Sequence, residues 1–224
     1  MPRQPRNAHG GYIYHVLNRA NARLPIFETD KDYRLFENIL EEAKEREDVS
    51  VLAYCLMPNH WHLVLLPKTG GALPSFMKWL TNTHTKRWHA ARSTTGQGHL
   101  YQGRYKSFIC EEDDYFLTLV RYVERNAKKA NLVKKAEDWK WSSVWSREKG
   151  TPEQKKLLSP WPISEPRNYL TWLNEAQTQV EEDAIEVSIE RDRPFGTDDW
   201  LTKIVRKFGL ESTLRPRGRP KKGD

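Results

Sequence analysis

Two kinds of hydrophobic pattern alternate along the first 130 residues, and their order predicts the fold. Runs rich in β-branched and aromatic residues predict four strands, at 11–17, 49–56, 60–66 and 104–110. Apolar residues recur at helical spacing between charged ones in three segments, at 30–47, 74–88 and 113–129. The order β-α-β-β-α-β-α indicates an α+β fold, with helices packed on one antiparallel sheet.

The pattern changes beyond position 146. Prolines interrupt a polar stretch, and two helical segments follow, at 169–179 and 197–208. We therefore divide the chain into a basic N-terminal arm (1–10), a main domain (11–146), a linker (147–168), a helical C-terminal extension (169–214) and a basic tail (215–224).

Composition narrows the choice of partner. The formal net charge is +7, which favours an acidic polymer, most commonly nucleic acid. The two cysteines, Cys55 and Cys110, are far apart and form neither a disulfide framework nor a zinc signature. No apolar run is long enough to span a membrane and the N-terminus lacks a signal-like apolar region, so we expect a cytoplasmic protein.

A histidine pair is the first candidate for chemistry. His60 and His62 are two residues apart on a predicted strand, so both imidazoles project from the same face. Two neutral imidazoles side by side form half of a metal site. The alternative is a surface pair flanking Trp61, and spacing alone favours it.

A tyrosine and an asparagine on the third helix are the second candidate. Tyr122 and Asn126 are four residues apart, so they are neighbours on one helical face. Such a face can present a nucleophile and an amide metal ligand to the same phosphate. Arg121 and Arg125 repeat the spacing and could hold phosphate oxygens. Ordinary packing and solvation would give the same pattern.

Basic residues interleaved with aromatic ones are typical of surfaces that bind single-stranded nucleic acid. Two predicted strands and the basic tail at 215–224 supply such candidate DNA-binding residues: Asn18, Arg19, Arg104, Lys106, Arg215, Arg217 and Arg219. Ordinary strand edges can look similar to the first four, and a solvated chain end would equally account for the basic residues of the tail.

Taken together, these segments resemble a known family. Residues 57–64 (MPNHWHLV), preceded by residues 14–19 (YHVLNR), are similar to transposases that carry an HUH motif (His, hydrophobic residue, His) and one catalytic tyrosine. Residues 102–107 and 122–126 continue the match, which covers 11 to about 145. The branch it most resembles is the REP-associated tyrosine transposases, which act on repetitive extragenic palindromes.

The resemblance implies a fold and a reaction. It implies an RRM-like or ferredoxin-like sheet, and Mg²⁺ or Mn²⁺ held at the positions of His60, His62 and Asn126. Tyr122 corresponds to the nucleophile, which cuts single-stranded DNA beside a folded hairpin and leaves a 5′-phosphotyrosine. Ala127 departs from many relatives, which carry proline there; this concerns the helix end and not the chemistry.

Two other functions remain open at this point. A non-catalytic protein could bind DNA hairpins with the same fold, although it would not need all four site residues. An RNA-binding protein of RRM type would account for the aromatic residues but would leave His60 and His62 unused. No P-loop pattern occurs, so we expect no nucleotide cofactor, and the chain could act as a monomer or a homodimer.

Overall fold

The computed structural model describes residues 8–215, and a four-stranded antiparallel sheet lies at its centre. The strands are β1 (Ile13–Arg19), β2 (Val49–Met57), β3 (His60–Pro67) and β4 (Lys106–Cys110), in the order β2-β3-β1-β4. A two-residue turn at Pro58 and Asn59 joins β2 to β3, as the sequence predicts.

Helices cover both faces of the sheet. On one face lie α1 (Asp30–Arg46) and α2 (Ala72–Ala91), which contact each other and bury Phe36, Phe76 and Trp61 between them and the strands. A capping box between Thr29 and Asp32 fixes the start of α1. The remaining helices are α3 (Asp114–Glu124), α4 (Asn126–Lys129), α5 (Ser143–Lys149), α6 (Pro152–Lys156), α7 (Tyr169–Asn174), α8 (Gln179–Arg191) and α9 (Asp198–Phe208).

The helix α3 packs on the opposite face of the sheet and carries the candidate nucleophile. The side chain of Asp113 caps it by accepting a hydrogen bond from the Tyr115 amide at 2.8 Å. The sequence predicts one helix reaching to about position 129, which is wrong in one respect. Arg125 has φ −82° and ψ −4°, so the helix is interrupted there and α4 begins at Asn126.

The C-terminal extension differs from the helices that the sequence predicts. The segment expected to be one helix over 169–179 is divided, because α7 ends at Asn174 and α8 begins at Gln179. The Asn174 side chain is engaged in hydrogen bonds with the main chain of Ala136 and with Glu137, which fixes the end of α7 against the main domain. The helix α8, absent from the prediction, reaches the sheet at β4.

Candidate active site

A cleft of about 540 Å³ opens at one end of the sheet, between the strands and α3. Across the β1–β3 ladder, Arg19 pairs with His60 and Leu17 pairs with His62. Paired residues project from the same face of a sheet, so these four side chains all enter the cleft. Its polar lining comprises Arg19, His60, His62, Gln102, Lys106, Tyr122, Asn126, Lys129, Glu186 and Glu190.

The two histidines are fixed by hydrogen bonds at their Nδ1 atoms. Their ring centroids are 5.1 Å apart. His60 Nδ1 lies 2.7 Å from Oδ1 of Asn59, and His62 Nδ1 lies 2.9 Å from Nε2 of His15. The Nε2 atom of His62 therefore remains directed at the cleft, as a metal ligand requires. His15, one residue that the sequence analysis missed as part of the site, is completely buried.

Burial keeps these imidazoles neutral. Desolvation is the main cause that lowers the pKa of His60 to about 4, and the nearby charge of Arg19 adds to it. Desolvation also lowers the pKa of His15 to about 3 and moves that of His62 well below its usual range. All three rings are thus unprotonated at neutral pH, which is the state in which imidazole binds a metal.

Tyr122 and Asn126 approach the histidines from the other side of the cleft. The centroid of the Tyr122 ring is 5.9 Å from that of His62, and Nδ2 of Asn126 is 3.5 Å from Nε2 of His62. Since amide N and O positions are interchangeable by a flip, the same side chain can present its oxygen there. The tyrosine, asparagine and histidine pair that the sequence singles out therefore share one cleft, despite the break at Arg125.

The phenol of Tyr122 is protonated at neutral pH. Burial is the first cause that raises its pKa to about 12, and the carboxylates of Glu186 and Glu182 raise it further. Both carboxylates belong to α8. The side chain of Lys129 lies between α8 and α3. Its ammonium is 2.9 Å from Glu182 and 5.7 Å from the centroid of the Tyr122 ring.

The helix α8 forms a wall of the cleft that the sequence analysis missed. Glu186, Ile189 and Glu190 line the cleft from this helix. A signal for its start was present, because Thr178 and Glu181 form a capping box. Nothing local in the sequence indicates that this helix returns to the tyrosine, since the two are more than 50 residues apart.

The predicted DNA-binding residues are divided between two clefts. Arg19 and Lys106 line the catalytic-side cleft just described. Asn18 and Arg104 line a second cleft against α2, on the other face of the sheet. Alternation along β1 explains the division, because Asn18 and Arg19 are adjacent and point to opposite faces.

The structure places Arg121, one of the predicted DNA contacts, outside the cleft. Its side chain is buried, and Nη2 donates hydrogen bonds to the carbonyl oxygens of Glu175 and Ala176 at 3.0 and 3.3 Å. The guanidinium also lies 4.4 Å from the ring centroid of Trp172. This arginine therefore attaches the segment between α7 and α8 to α3.

Other predicted contacts lie outside the cleft. Arg125 faces Glu182, with Nη1 and Oε1 4.0 Å apart, and lines a separate surface hollow with Lys128 and Lys134. The carbonyl oxygen of Arg215 accepts a bond from Arg191 at 3.4 Å. The predicted contacts of the basic tail, Arg217 and Arg219, lie outside the described residues.

The part of the chain that the structure describes contains no cluster of three of the usual metal-binding side chains. Among residues 8–215, no three His, Cys, Asp or Glu side chains converge closely enough to hold a metal ion. For a metal at His60 and His62, the amide of Asn126, 3.5 Å from His62 Nε2, could supply a third protein ligand. Within the same range, no helix has the length and apolar character needed to cross a membrane.

A basic α+β protein with a histidine pair facing a tyrosine across one cleft has the features expected of an enzyme that acts on nucleic acid. Comparison with known proteins identifies the family. The family "Transposase IS200 like" matches residues 9–126, so the chain belongs to the IS200-like transposases, enzymes that cleave and rejoin DNA. The matched segment contains both histidines, Tyr122 and Asn126.

A solved structure shares the fold of this chain. The structure of a REP-associated tyrosine transposase bound to a REP hairpin is similar to this chain, with a TM-score of 0.54 and 17% sequence identity; 74% of this chain and 92% of that chain are covered. A putative transposase from Deinococcus radiodurans R1 has a TM-score of 0.37 and 17% identity, over 59% and 96% of the two chains. No curated protein matches. The predicted α+β sheet and the family resemblance are confirmed.

Proposed function

We propose that this protein is a metal-dependent single-stranded DNA endonuclease and strand transferase that acts at palindromic hairpins through a 5′-phosphotyrosine. The observation that carries the proposal is the convergence of His60, His62, Tyr122 and Asn126 in one cleft. The hairpin substrate is supported by the similar fold of a REP-associated transposase bound to a REP hairpin.

The residues in the cleft fit Mg²⁺ or Mn²⁺. His60 and His62 supply neutral imidazoles, and the amide of Asn126 supplies an oxygen. Together with water and phosphate oxygens as the other ligands, this set suits a hard divalent cation. Zinc sites are usually built from three or four thiolate, imidazole or carboxylate ligands, and no three such side chains converge in this cleft. The metal, when bound, polarises the scissile phosphate and offsets the charge that develops on it.

Tyr122 is the nucleophile in this proposal. Its phenolic oxygen forms a bond to phosphorus while the bond from phosphorus to the 3′-oxygen breaks. The phenolic proton leaves to water, and the departing 3′-oxygen takes up a proton. Attack by a 3′-hydroxyl reverses these steps and joins two strands, so no nucleotide cofactor is required. Because the pKa of Tyr122 is about 12, the cleavage rate should rise with pH through the neutral range.

The positive side chains of the cleft hold the DNA strand. Arg19 and Lys106 project from neighbouring strands on the same face as the histidines, so they flank the position of the scissile phosphate. Their contribution is electrostatic and independent of sequence, and therefore weakens with salt.

The test is formation of a covalent protein–DNA adduct on a single-stranded hairpin oligonucleotide with Mn²⁺, observed on a denaturing gel. Tyr122→Phe should abolish the adduct while hairpin binding persists. Tyr115→Phe is the matched control, because Tyr115 lies on the same helix but packs against Phe195, at 4.9 Å between ring centroids, and does not line the cleft. An adduct from Tyr122→Phe that is lost in Tyr115→Phe would overturn the assignment.

The metal is tested on the same substrate. His60→Ala and His62→Ala should abolish cleavage while hairpin binding largely survives, and full cleavage in EDTA would exclude metal dependence. Hairpin binding without any adduct under all of these conditions would instead indicate a non-catalytic hairpin-binding protein.

A further inference from the structure

One basic side chain of the catalytic-side cleft is not used by the mechanism described above. Lys129 lines this cleft from α4, and its side chain is 40% exposed. The amide of Lys129 donates to the carbonyl oxygen of Arg125 at 2.9 Å, which closes a helical turn. Asn126 and Lys129 are three residues apart on this turn, and residues at that spacing share a helix face. The candidate metal ligand and the ammonium therefore enter the cleft together, from the side of the nucleophile.

Lys129 lies against the candidate nucleophile. Its ammonium is over the face of the Tyr122 ring, 5.7 Å from the ring centroid, which is within the range of a cation–π contact. The four-carbon stem of a lysine is flexible, so the ammonium can follow a group that enters beside the ring. Since both side chains line the same cleft, a phosphate that meets the phenolic oxygen there comes within reach of this ammonium.

Two carboxylates of α8 hold the ammonium at the wall of the cleft. Nζ of Lys129 is 2.9 Å from Oε2 of Glu182 and 3.9 Å from Oε1 of Glu186. The second distance is too long for a hydrogen bond. An ammonium has three N–H donors, so Lys129 can donate to a phosphate oxygen and keep its bond to Glu182. The ion pair therefore orients the lysine without occupying all of its donors.

Two other cations approach from the opposite wall of the cleft. Arg19 and Lys106 enter from β1 and β4, whereas Lys129 enters from α4. In an in-line attack, the nucleophile and the leaving oxygen lie on opposite sides of phosphorus, and the two non-bridging oxygens lie beside this axis. Negative charge on these oxygens is stabilised by donors that are in place before the reaction. Cations on both walls can therefore contact one phosphate at the same time.

We propose that Lys129 is a further catalytic residue, whose ammonium donates a hydrogen bond to a non-bridging oxygen of the scissile phosphate while Tyr122 attacks. The ammonium keeps its protons, and it stabilises cleavage and rejoining alike, because the same oxygens carry the charge in both directions. The inference rests on the proposed function, since it assumes a phosphate in the catalytic-side cleft. Lys129 and Glu182 both lie beyond residues 9–126, which match the family. The geometry of this chain alone therefore carries the assignment.

The test separates a role at the phosphate from a role in joining α4 to α8. Lys129→Ala and Glu182→Gln break the same ion pair from its two sides, so a purely structural ion pair predicts equal effects. The rate of adduct formation is measured in a single turnover, with Mn²⁺ and a saturating amount of the single-stranded hairpin. Affinity for the hairpin is measured by fluorescence anisotropy in the Tyr122→Phe background, which prevents covalent capture.

We expect Lys129→Ala to slow adduct formation by roughly 10- to 100-fold, with hairpin affinity changed by no more than about threefold. Glu182→Gln should form the adduct at least as fast as the parent, because it leaves the ammonium in place. The control for the loss of one positive charge is Lys134→Ala, since Lys134 is exposed and lines a different hollow. Its rate should stay within about twofold of the parent.

Circular dichroism and thermal unfolding show whether each variant is folded. If Lys129→Ala does not fold, Lys129→Met replaces it, because methionine keeps most of the apolar stem and removes the charge. A folded variant at position 129 that forms the adduct at the parent rate would overturn the inference. Equal slowing by the variants at positions 129 and 182 would also overturn it, because the ion pair itself would then account for the loss. A parent protein that forms no adduct would instead contradict the proposed function.

Discussion

Replacing His15 should weaken metal binding although His15 touches no metal. For Nε2 of His62 to act as a ligand, the single proton of that ring must reside on Nδ1 and be donated to Nε2 of His15, 2.9 Å away. His15→Phe removes this acceptor in a fully buried position that water does not reach. An unsatisfied buried N–H costs about 1–3 kcal/mol, which corresponds to a roughly 5- to 150-fold loss of metal affinity.

The assay for this prediction is Mn²⁺ binding followed by electron paramagnetic resonance, which needs no catalysis. His15→Gln keeps an acceptor near the position of Nε2, and we expect its affinity to stay within about threefold of the parent. His84→Phe is the matched control, since His84 is also completely buried but packs beside Phe27 and Phe36 on the other face of the sheet. A folded His15→Phe protein that binds Mn²⁺ like the parent would refute the reasoning.

Three further changes give measurable results. Glu124→Gln should lower the free energy of unfolding in urea by about 3 kcal/mol, because it removes the buried carboxylate that pairs with the half-buried guanidinium of Arg147; a loss below about 1 kcal/mol would contradict this. Glu186→Gln removes a negative charge that raises the pKa of Tyr122, so adduct formation at pH 7 should accelerate by about two- to threefold. A slower reaction would show that Glu186 assists the reaction. Deleting 215–224 should weaken DNA binding and reduce its salt slope by about 0.7–0.9 for each lost phosphate contact, and an unchanged slope would exclude such contacts.

The sheet could be predicted from sequence because its signals are local. Each strand is a short β-rich run, and the turn at Pro58 and Asn59 fixes the register that aligns Met57 with His60. The helix α1 has both an apolar face and a capping box. The interruption at Arg125 has no comparable signal, since neither glycine nor proline stands there and only Asn126, a weaker helix former, follows it directly.

The candidate site could be predicted only where its residues share an element. His60 and His62 lie on one strand, and Tyr122 and Asn126 lie within one turn of each other, so spacing could pair them. The pairing of His62 with His15 joins strands 47 residues apart. The burial of Arg121 depends on carbonyl groups more than 50 residues away. Such contacts arise from tertiary packing, which periodicity does not encode.

In the proposed mechanism, the neutrality of the metal ligands would tie metal binding to substrate binding. His60, His62 and Asn126 carry no charge at neutral pH, so they offer a divalent cation no anionic partner. The negative charge that would balance the cation comes from the carboxylates of Glu186 and Glu190, which line the cleft from α8, and from the phosphate of the bound strand, which Arg19 and Lys106 attract to the same cleft. Phosphate and metal then stabilise each other's binding, and thermodynamic linkage requires that each raise the affinity of the other by the same factor. A site built in this way would be completed by its substrate, and we expect it to hold the metal more tightly when a strand is bound.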